Sequence, residues 1–204
     1  MINDYEHLDL ARYMRIDRVL HTPQEDIDKQ VQIISILSDI PVDDILHLPI
    51  AEYGALARQT AFLGVLCDPD PVGEEGVAIG GFFLLPTKDF TKINTAQYVD
   101  FQLLAKDLPS TIPQLLSVFL VPEGHAYNEG YDLKAVQEAV GKLMLPHALG
   151  LTAFFFEQFK ISIMNTLTSL KMKARTAKEK KKMEDLRIQA EAMLSLITGD
   201  GSPA

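Results

Sequence analysis

One cysteine, Cys67, and no tryptophan occur among the 204 residues. A single thiol forbids an intrachain disulfide and leaves a cysteine-based zinc site without its ligands. This suits a reducing cytoplasm. Long apolar runs are missing too: AFFF at 153–156 falls far short of the ~20 residues that cross a bilayer. The stretch MINDYEHLDLARYMR at 1–15 carries acids and no apolar core of leader length, so export by a cleaved leader is not expected.

The common catalytic signatures are absent as well. The adjacent glycines of VAIGGFF lack the spacing, and the following Lys-Ser/Thr, that a phosphate loop needs. There is no GxSxG nucleophile elbow and no HEXXH zinc pattern. The five histidines, His7, His21, His47, His125 and His147, are far apart, and none has a second ligand at i+3 or i+4. The acidic stretch CDPDPVGEEG at 67–76 has neither the alternating ligands nor the closing glutamate of an EF-hand, and its prolines stiffen the wrong positions. No metal, no cofactor and no catalytic residue is therefore expected. A site built from scattered carboxylates, such as Asp100, Asp107 and Glu157, together with histidines stands as the enzymatic alternative.

What the chain has is charge, unevenly spread. The net charge is −9, which argues against a general nucleic-acid binder. Seven basic residues and one acid fall between Lys171 and Lys182, so that segment carries +6 and the rest of the chain −15. An acidic body with a basic segment can associate head to tail or dock on an acidic partner. A solvated helix face would explain the same run.

The length suits one domain plus an extension. A first helix is expected within Tyr5–Leu20, its apolar positions being Leu8, Leu10, Tyr13, Met14 and Val19. Thr22-Pro23-Gln24-Glu25 has the form of a capping box, opening a helix with the stripe Ile27, Val31, Ile34 and Leu37 that Pro41 stops. A short helix with Ile45, Leu46 and Leu48 follows. Pro49 then restarts the chain into 50–66, with Ile50, Tyr53, Leu56, Ala57 and Leu63 on one side. The proline- and glycine-containing segment 67–76 reads as an exposed loop. VAIGGFFLL at 77–85 is the best strand, bent or bulged at Gly80-Gly81, with a partner expected within 119–131.

The second half is organised around apolar helices. Asn94 or Thr95 can cap a helix burying Tyr98, Phe101, Leu104 and Ala105. Ser110 or Thr111 caps the next, which carries Leu115, Leu116, Val118 and Phe119. A loop at 121–132 holds Tyr127 and Tyr131. Asp132 caps LKAVQEAVGKLML, facing inward through Leu133, Val136, Val140 and Leu143, and Pro146 ends it, with PHALG as a turn. From Leu151 to Thr198 there is neither glycine nor proline; as one helix this would run roughly 70 Å. Its first half is apolar through Phe154, Phe155, Phe156 and Phe159. The lysine-rich middle cannot enter a core, and apolar spacing resumes at Met183, Leu186, Ala190, Met193, Leu194 and Ile197. Two geometries fit: a protruding helix, or a break near Thr176 that folds 183–197 back. Either needs a covering surface.

Three segments in order resemble the small bacteriophage proteins called tail assembly chaperone-like or virion morphogenesis proteins. The first is DIPVDDILHLPIAEYGALARQTAFL (39–63), a proline-punctuated helical pair. The second is KINTAQYVDFQLLAKD (92–107), and the third spans 115–156 as apolar helix, proline, tyrosine-containing loop, apolar helix, proline and Phe-rich helix. The similarity covers about 120 residues and leaves out the basic stretch after Leu170. It implies a non-enzymatic protein working by contact in the host cytoplasm during assembly. In one version it is a connector, ring or tail subunit retained in the virion; in the other, a free tail assembly chaperone. Its partners would be other phage structural proteins or copies of itself, without a direct nucleic-acid or membrane role.

The expectation is thus a mainly α fold (α+β, with a small β element around 77–85). A helical globular domain would occupy 1–170 and a basic-then-amphipathic helical extension 171–204. The candidate partner-binding residues are Phe154, Phe155, Phe156, Lys178, Lys180, Lys181, Lys182, Met183, Leu186, Met193, Leu194 and Ile197.

Overall fold

Asp9 begins the first helix and sits in the bridge that joins it to the segment before α8 (Leu145–Lys173). A computed structural model describes residues 1–72, 75–108 and 110–173, the last eight as backbone alone. Helix α1 (Leu10–Leu20) has Asp9 as its N-cap, with the side chain accepting from the Arg12 amide at 2.8 Å. The first amides of a helix have no acceptor within it, and here those of Leu10, Ala11 and Arg12 all find one. Leu10 and Ala11 donate to the carbonyls of Leu143 and Gly141, Arg12 to the Asp9 carboxylate and Tyr13 to the Asp9 carbonyl. The Leu145 amide returns the favour to the Leu8 carbonyl at 2.8 Å. One short antiparallel bridge, Asp9 opposite Met144, thereby ties the start of α1 to the start of the last helix.

Helix α2 (Asp26–Ser38) packs on α1 and corrects the expected capping box. Thr22 does not cap it: its hydroxyl donates to the Val19 carbonyl at 2.7 Å and closes α1 instead. Glu25 is the residue before the helix and makes no side-chain cap. Val31, Ile34 and Leu37 are buried as expected, whereas Ile27, in the first turn and ahead of that packed stretch, is exposed. Asp39 ends α2 in the left-handed region, at φ 58, a conformation that aspartate tolerates better than most residues. Helices α3 (Val42–Leu46) and α4 (Ile50–Gln59) follow, each opened by a proline, and a 3-10 turn at Thr60–Gly64 ends the unit. They rest on a satellite cluster: Val31, Ile34 and Ile45, with Ile40, Tyr53, Leu56 and Ala57 packed around it. No residue of α4 is fully buried, and Ile50, expected on the packed side, is 83% exposed.

The expected single strand at 77–85 is a hairpin. Strands β1 (Val77–Ile79) and β2 (Phe82–Pro86) pair antiparallel. Gly80 and Gly81 form the two-residue turn, with φ +60 and +85, the positive pair that a type I′ turn requires. A Cβ on Gly80 would lie 2.6 Å from that of Ala139, so the hairpin tip is seated directly on helix α7 (Leu133–Val140). The third strand, β3 (Leu120–Pro122), pairs with β2 through Leu84 opposite Pro122 and Pro86 opposite Leu120. This places the partner strand inside the expected 119–131 window.

Helix α5 (Thr95–Leu104) opens with a complete capping box: Asn94 accepts from the Gln97 amide, and the Gln97 side chain accepts from the Asn94 amide. Helix α6 (Ile112–Phe119) has proline in its first turn and runs straight into β3. The last helix, α8 (Leu145–Lys173), has 29 residues and includes Pro146 and the whole of PHALG. Pro146 therefore does not stop a helix. It occupies the first turn, where the missing N–H has no intrahelical acceptor to lose, and α7 has already ended at Val140. The helix also runs through residue 170, the expected domain limit, without interruption. The fold is mainly α with a small three-stranded antiparallel sheet.

Gly150 lets the acidic loop close over α8. The Asp70 amide donates to the Pro146 carbonyl at 3.0 Å, and a Cβ at 150 would collide with the Asp70 carbonyl and come within 2.6 Å of a Val72 methyl. Alanine favours a helix interior over glycine by ~1 kcal/mol. Gly150→Ala is nevertheless expected to destabilise the protein by ~1–3 kcal/mol, the usual cost of overpacking, read as a lowered urea midpoint. An unchanged or raised midpoint would mean that the loop is not held there.

Candidate partner-binding surface

The spacing of apolar residues on α8 sets where the helix is held. Ala148, Leu151, Phe155 and Phe159 are buried and recur at steps of three and four, one stripe of a helix. Phe155 lies 5.2 Å from Phe119 and 6.3 Å from Phe90, ring centre to ring centre. Phe159 lies 4.3 Å from Phe101, and Phe101 lies 5.3 Å from Phe119. This one cluster joins α5, α6, α8 and the Phe90 turn in tilted contacts, the geometry that aromatic pairs favour.

The cluster corrects one expected contact residue. Phe155 is wholly inaccessible, so it belongs to the core and offers no surface to a partner. Phe154 and Phe156 flank it, half-buried and packed against the same core. Lys178, Lys180, Lys181, Lys182, Met183, Leu186, Met193, Leu194 and Ile197 lie outside the described residues.

After Phe159 burial falls off, although Ile163 still packs against the core. None of residues 160–165 is buried, and Ile161 is exposed. Beside this stretch lies a groove of about 460 Å³, lined by Phe90, Ile93, Tyr98, Phe159 and Ile163 together with four polar residues, Thr91, Asn94, Thr95 and Ser162. Tyr98, expected in the buried stripe of α5, is instead 39% exposed on its wall. Phe101 and Gln97 take the inward positions, and Val99 and Leu103 face outward. Sequence periodicity missed the groove because it is bordered from three separate stretches. The signal that was present is Phe90-Thr-Lys-Ile93, two large apolar residues in a segment with no helical or strand pattern.

No family model, curated protein or solved structure matches the chain. The site is therefore argued from its own chemistry.

That chemistry is poor in reactive groups. No group of three or more His, Cys, Asp or Glu side chains placed to hold a metal occurs among the described residues. The histidines stay apart: His7 meets Asp4 at 2.6 Å, while His21 and His47 turn to the carbonyls of Asp17 and Asp43 in their own helices. Asp100, one of the carboxylates considered for catalysis, accepts a hydrogen bond from the Tyr127 hydroxyl at 2.8 Å. Burial, then that hydrogen bond to a carboxylate, pushes the Tyr127 phenol well above its ordinary value. Next to Phe90 in the chain, the Thr91 hydroxyl, the Lys92 ammonium and the Thr91 amide hold the exposed Asp89 carboxyl down to about 2. Among the described residues no helix is long and apolar enough to cross a membrane. The rings and aliphatic chains of the groove can bind apolar side chains.

Tyr127→Phe is expected to cost ~1 kcal/mol at neutral pH, the net worth of a typical hydrogen bond. A raised phenol pKa stabilises the fold below the ordinary tyrosine value, and that contribution is lost as pH climbs through the raised one. The gap between wild type and variant in urea titrations should then narrow above pH ~10. A gap that is constant, or that widens with pH, would show that the pair is not formed.

Proposed function

We propose that this chain is a non-enzymatic bacteriophage morphogenesis protein acting through protein–protein contacts. It would serve as a connector, ring or tail subunit of the virion, or as a tail assembly factor. The observation that carries the contact reading is the open groove beside α8: the helix is anchored by Phe155 and Phe159 in the aromatic cluster, and Phe159 and Ile163 form one wall of the groove. Apolar surface in a groove beside a helix is a common seat for a partner helix. The order of the three resembling segments supports the phage setting, and other phage structural proteins or further copies of this chain are the partners that reading names. The acidic body and the basic segment at Lys171–Lys182 would favour head-to-tail encounters that weaken with salt.

A free chaperone that shields apolar helices before assembly would use the same groove. Mass spectrometry of gradient-banded virions from the phage carrying this gene separates the two. Peptides at a fixed copy number per particle are expected for a subunit. Abundance in infected-cell lysate with absence from particles would favour the chaperone, and a gene carried by no phage would overturn the proposal.

A further inference from the structure

Helix α1 carries two arginines that the fold leaves unused. Arg15 and Arg18 are exposed, and among the described residues neither guanidinium has an ion pair or a hydrogen bond, whereas Arg12 is held by Asp9 and Asp39. They rim a cleft of about 420 Å³ between α1 and α2. Its floor is apolar, from Val19, Ile36 and Val42, while Gln32 and Ser35 add an amide and a hydroxyl to the rim. Asp43 and Asp44 adjoin Val42 in α3 but do not line the cleft. A cationic rim over an apolar floor suits a segment that offers an apolar side chain next to carboxylates.

The same chain displays such a segment elsewhere. Leu66 is the most exposed large apolar side chain among the described residues, at 91%, and Val65 beside it is exposed as well. Asp68 and Asp70 follow, both exposed. The backbone under them is pinned. The Tyr5 hydroxyl donates to the Val65 carbonyl at 2.8 Å, Cys67 packs against the core, and the Asp70 amide donates to the Pro146 carbonyl. Pro69 and Pro71 hold Asp68 and Asp70 in extended backbone. Two residues of extended chain set these carboxylates ~7 Å apart, close to the ~5–6 Å between Cβ atoms at i and i+3 of a helix, the spacing of Arg15 and Arg18. A chain cannot seat this segment in its own cleft. Burial, and then Asp17 and Cys67 nearby, raise the Tyr13 phenol above its ordinary value, which puts the segment on the Tyr13 side of α1. Arg15 and Arg18 stand ~140–200° away around that helix.

We infer that Leu66, Asp68 and Asp70 of one copy dock in the Arg15–Arg18 cleft of a second copy, with Leu66 on the apolar floor and the two carboxylates on the guanidiniums. This surface is separate from the α8 groove. The inference goes beyond the proposed function and holds whether or not the chain belongs to a virion. A cleft on one copy and a knob on the next form a heterologous contact, which closes into a ring or runs on as a filament. The preset backbone of the knob lowers the ordering cost of association.

Complementation between two variants of the full chain tests the inference, read by sedimentation velocity at low salt. Arg15→Glu with Arg18→Glu blocks the cleft, and Leu66→Ser with Asp68→Ser and Asp70→Ser blocks the knob. All five side chains are exposed, so helical circular dichroism and the urea midpoint should keep their wild-type values. Wild type is expected to associate beyond the dimer as its concentration rises, and less so as salt is added. The cleft variant alone should associate ~100-fold more weakly, because like charges then face each other, and the knob variant alone should stay monomeric where wild type associates. An equimolar mixture should regain association and stop at the dimer, since each pair holds one intact cleft and one intact knob. Wild type that stays monomeric up to ~1 mM, the weak end of the affinity scale, would overturn the inference. So would a variant that associates like wild type, or a mixture that associates no better than its components.

Discussion

The ring of Phe119 sits where four parts of the chain must agree. It is the last residue of α6 and precedes β3 directly, so it fixes both the end of a helix and the start of a strand. Phe90, Phe101 and Phe155 approach it at 4.8, 5.3 and 5.2 Å, and Phe101 passes the contact on to Phe159. Large buried rings each contribute several kcal/mol, and removing one leaves a cavity that costs ~3–5 kcal/mol. Among the described residues no ring pair joins the satellite cluster under α3 and α4, where three aliphatic residues are buried.

Backbone polarity at this junction is satisfied as carefully as the rings are packed. The carbonyls at the end of a helix have no intrahelical partner and are costly when buried unpaired. The Val118 carbonyl accepts from the buried Gln97 side chain at 3.0 Å, and the Phe119 carbonyl accepts from both the Thr87 amide and its hydroxyl. Gln97 thus caps its own helix with one end and closes α6 with the other. The same atoms that start α5 hold α6, and α5 in turn forms the wall of the groove through Tyr98. Structure and candidate surface therefore depend on one node.

Much of this was legible in the sequence, and the failures have specific causes. Helices α1, α2, α5, α6 and α7 follow from apolar spacing and from caps at Asn94 and Asp132, because local chemistry decides those starts. Thr22 misled because its hydroxyl had two acceptable uses, and the tertiary course of α1 chose the other. Pro146 misled because a proline can end one helix or open the next, and the bond from Leu145 to Leu8 that settles it joins residues far apart in sequence. Gly80-Gly81 reads in sequence as a bend or bulge within one strand; the structure makes it the turn of a hairpin seated on Ala139. Phe154, Phe155 and Phe156 are alike on paper, and only the positions of Phe90 and Phe119 make Phe155 the core residue of the three. The groove is invisible to periodicity because no one element carries it.

The functional reading rests on α8 being held in the body through Phe155 and Phe159, with no residue from 160 to 165 fully buried. If Phe119 is the node, then α5, α6 and residues 145–159 of α8 belong to one cooperative unit. Amide hydrogen exchange followed against sub-denaturing urea measures this directly, since each region reports its own opening free energy. The expected result is that buried amides of these three stretches converge on the same opening free energy and the same urea dependence. Exchange from 145–159 through a separate opening at much lower free energy than α6 would contradict the account, because α8 would then be an appendage to the core.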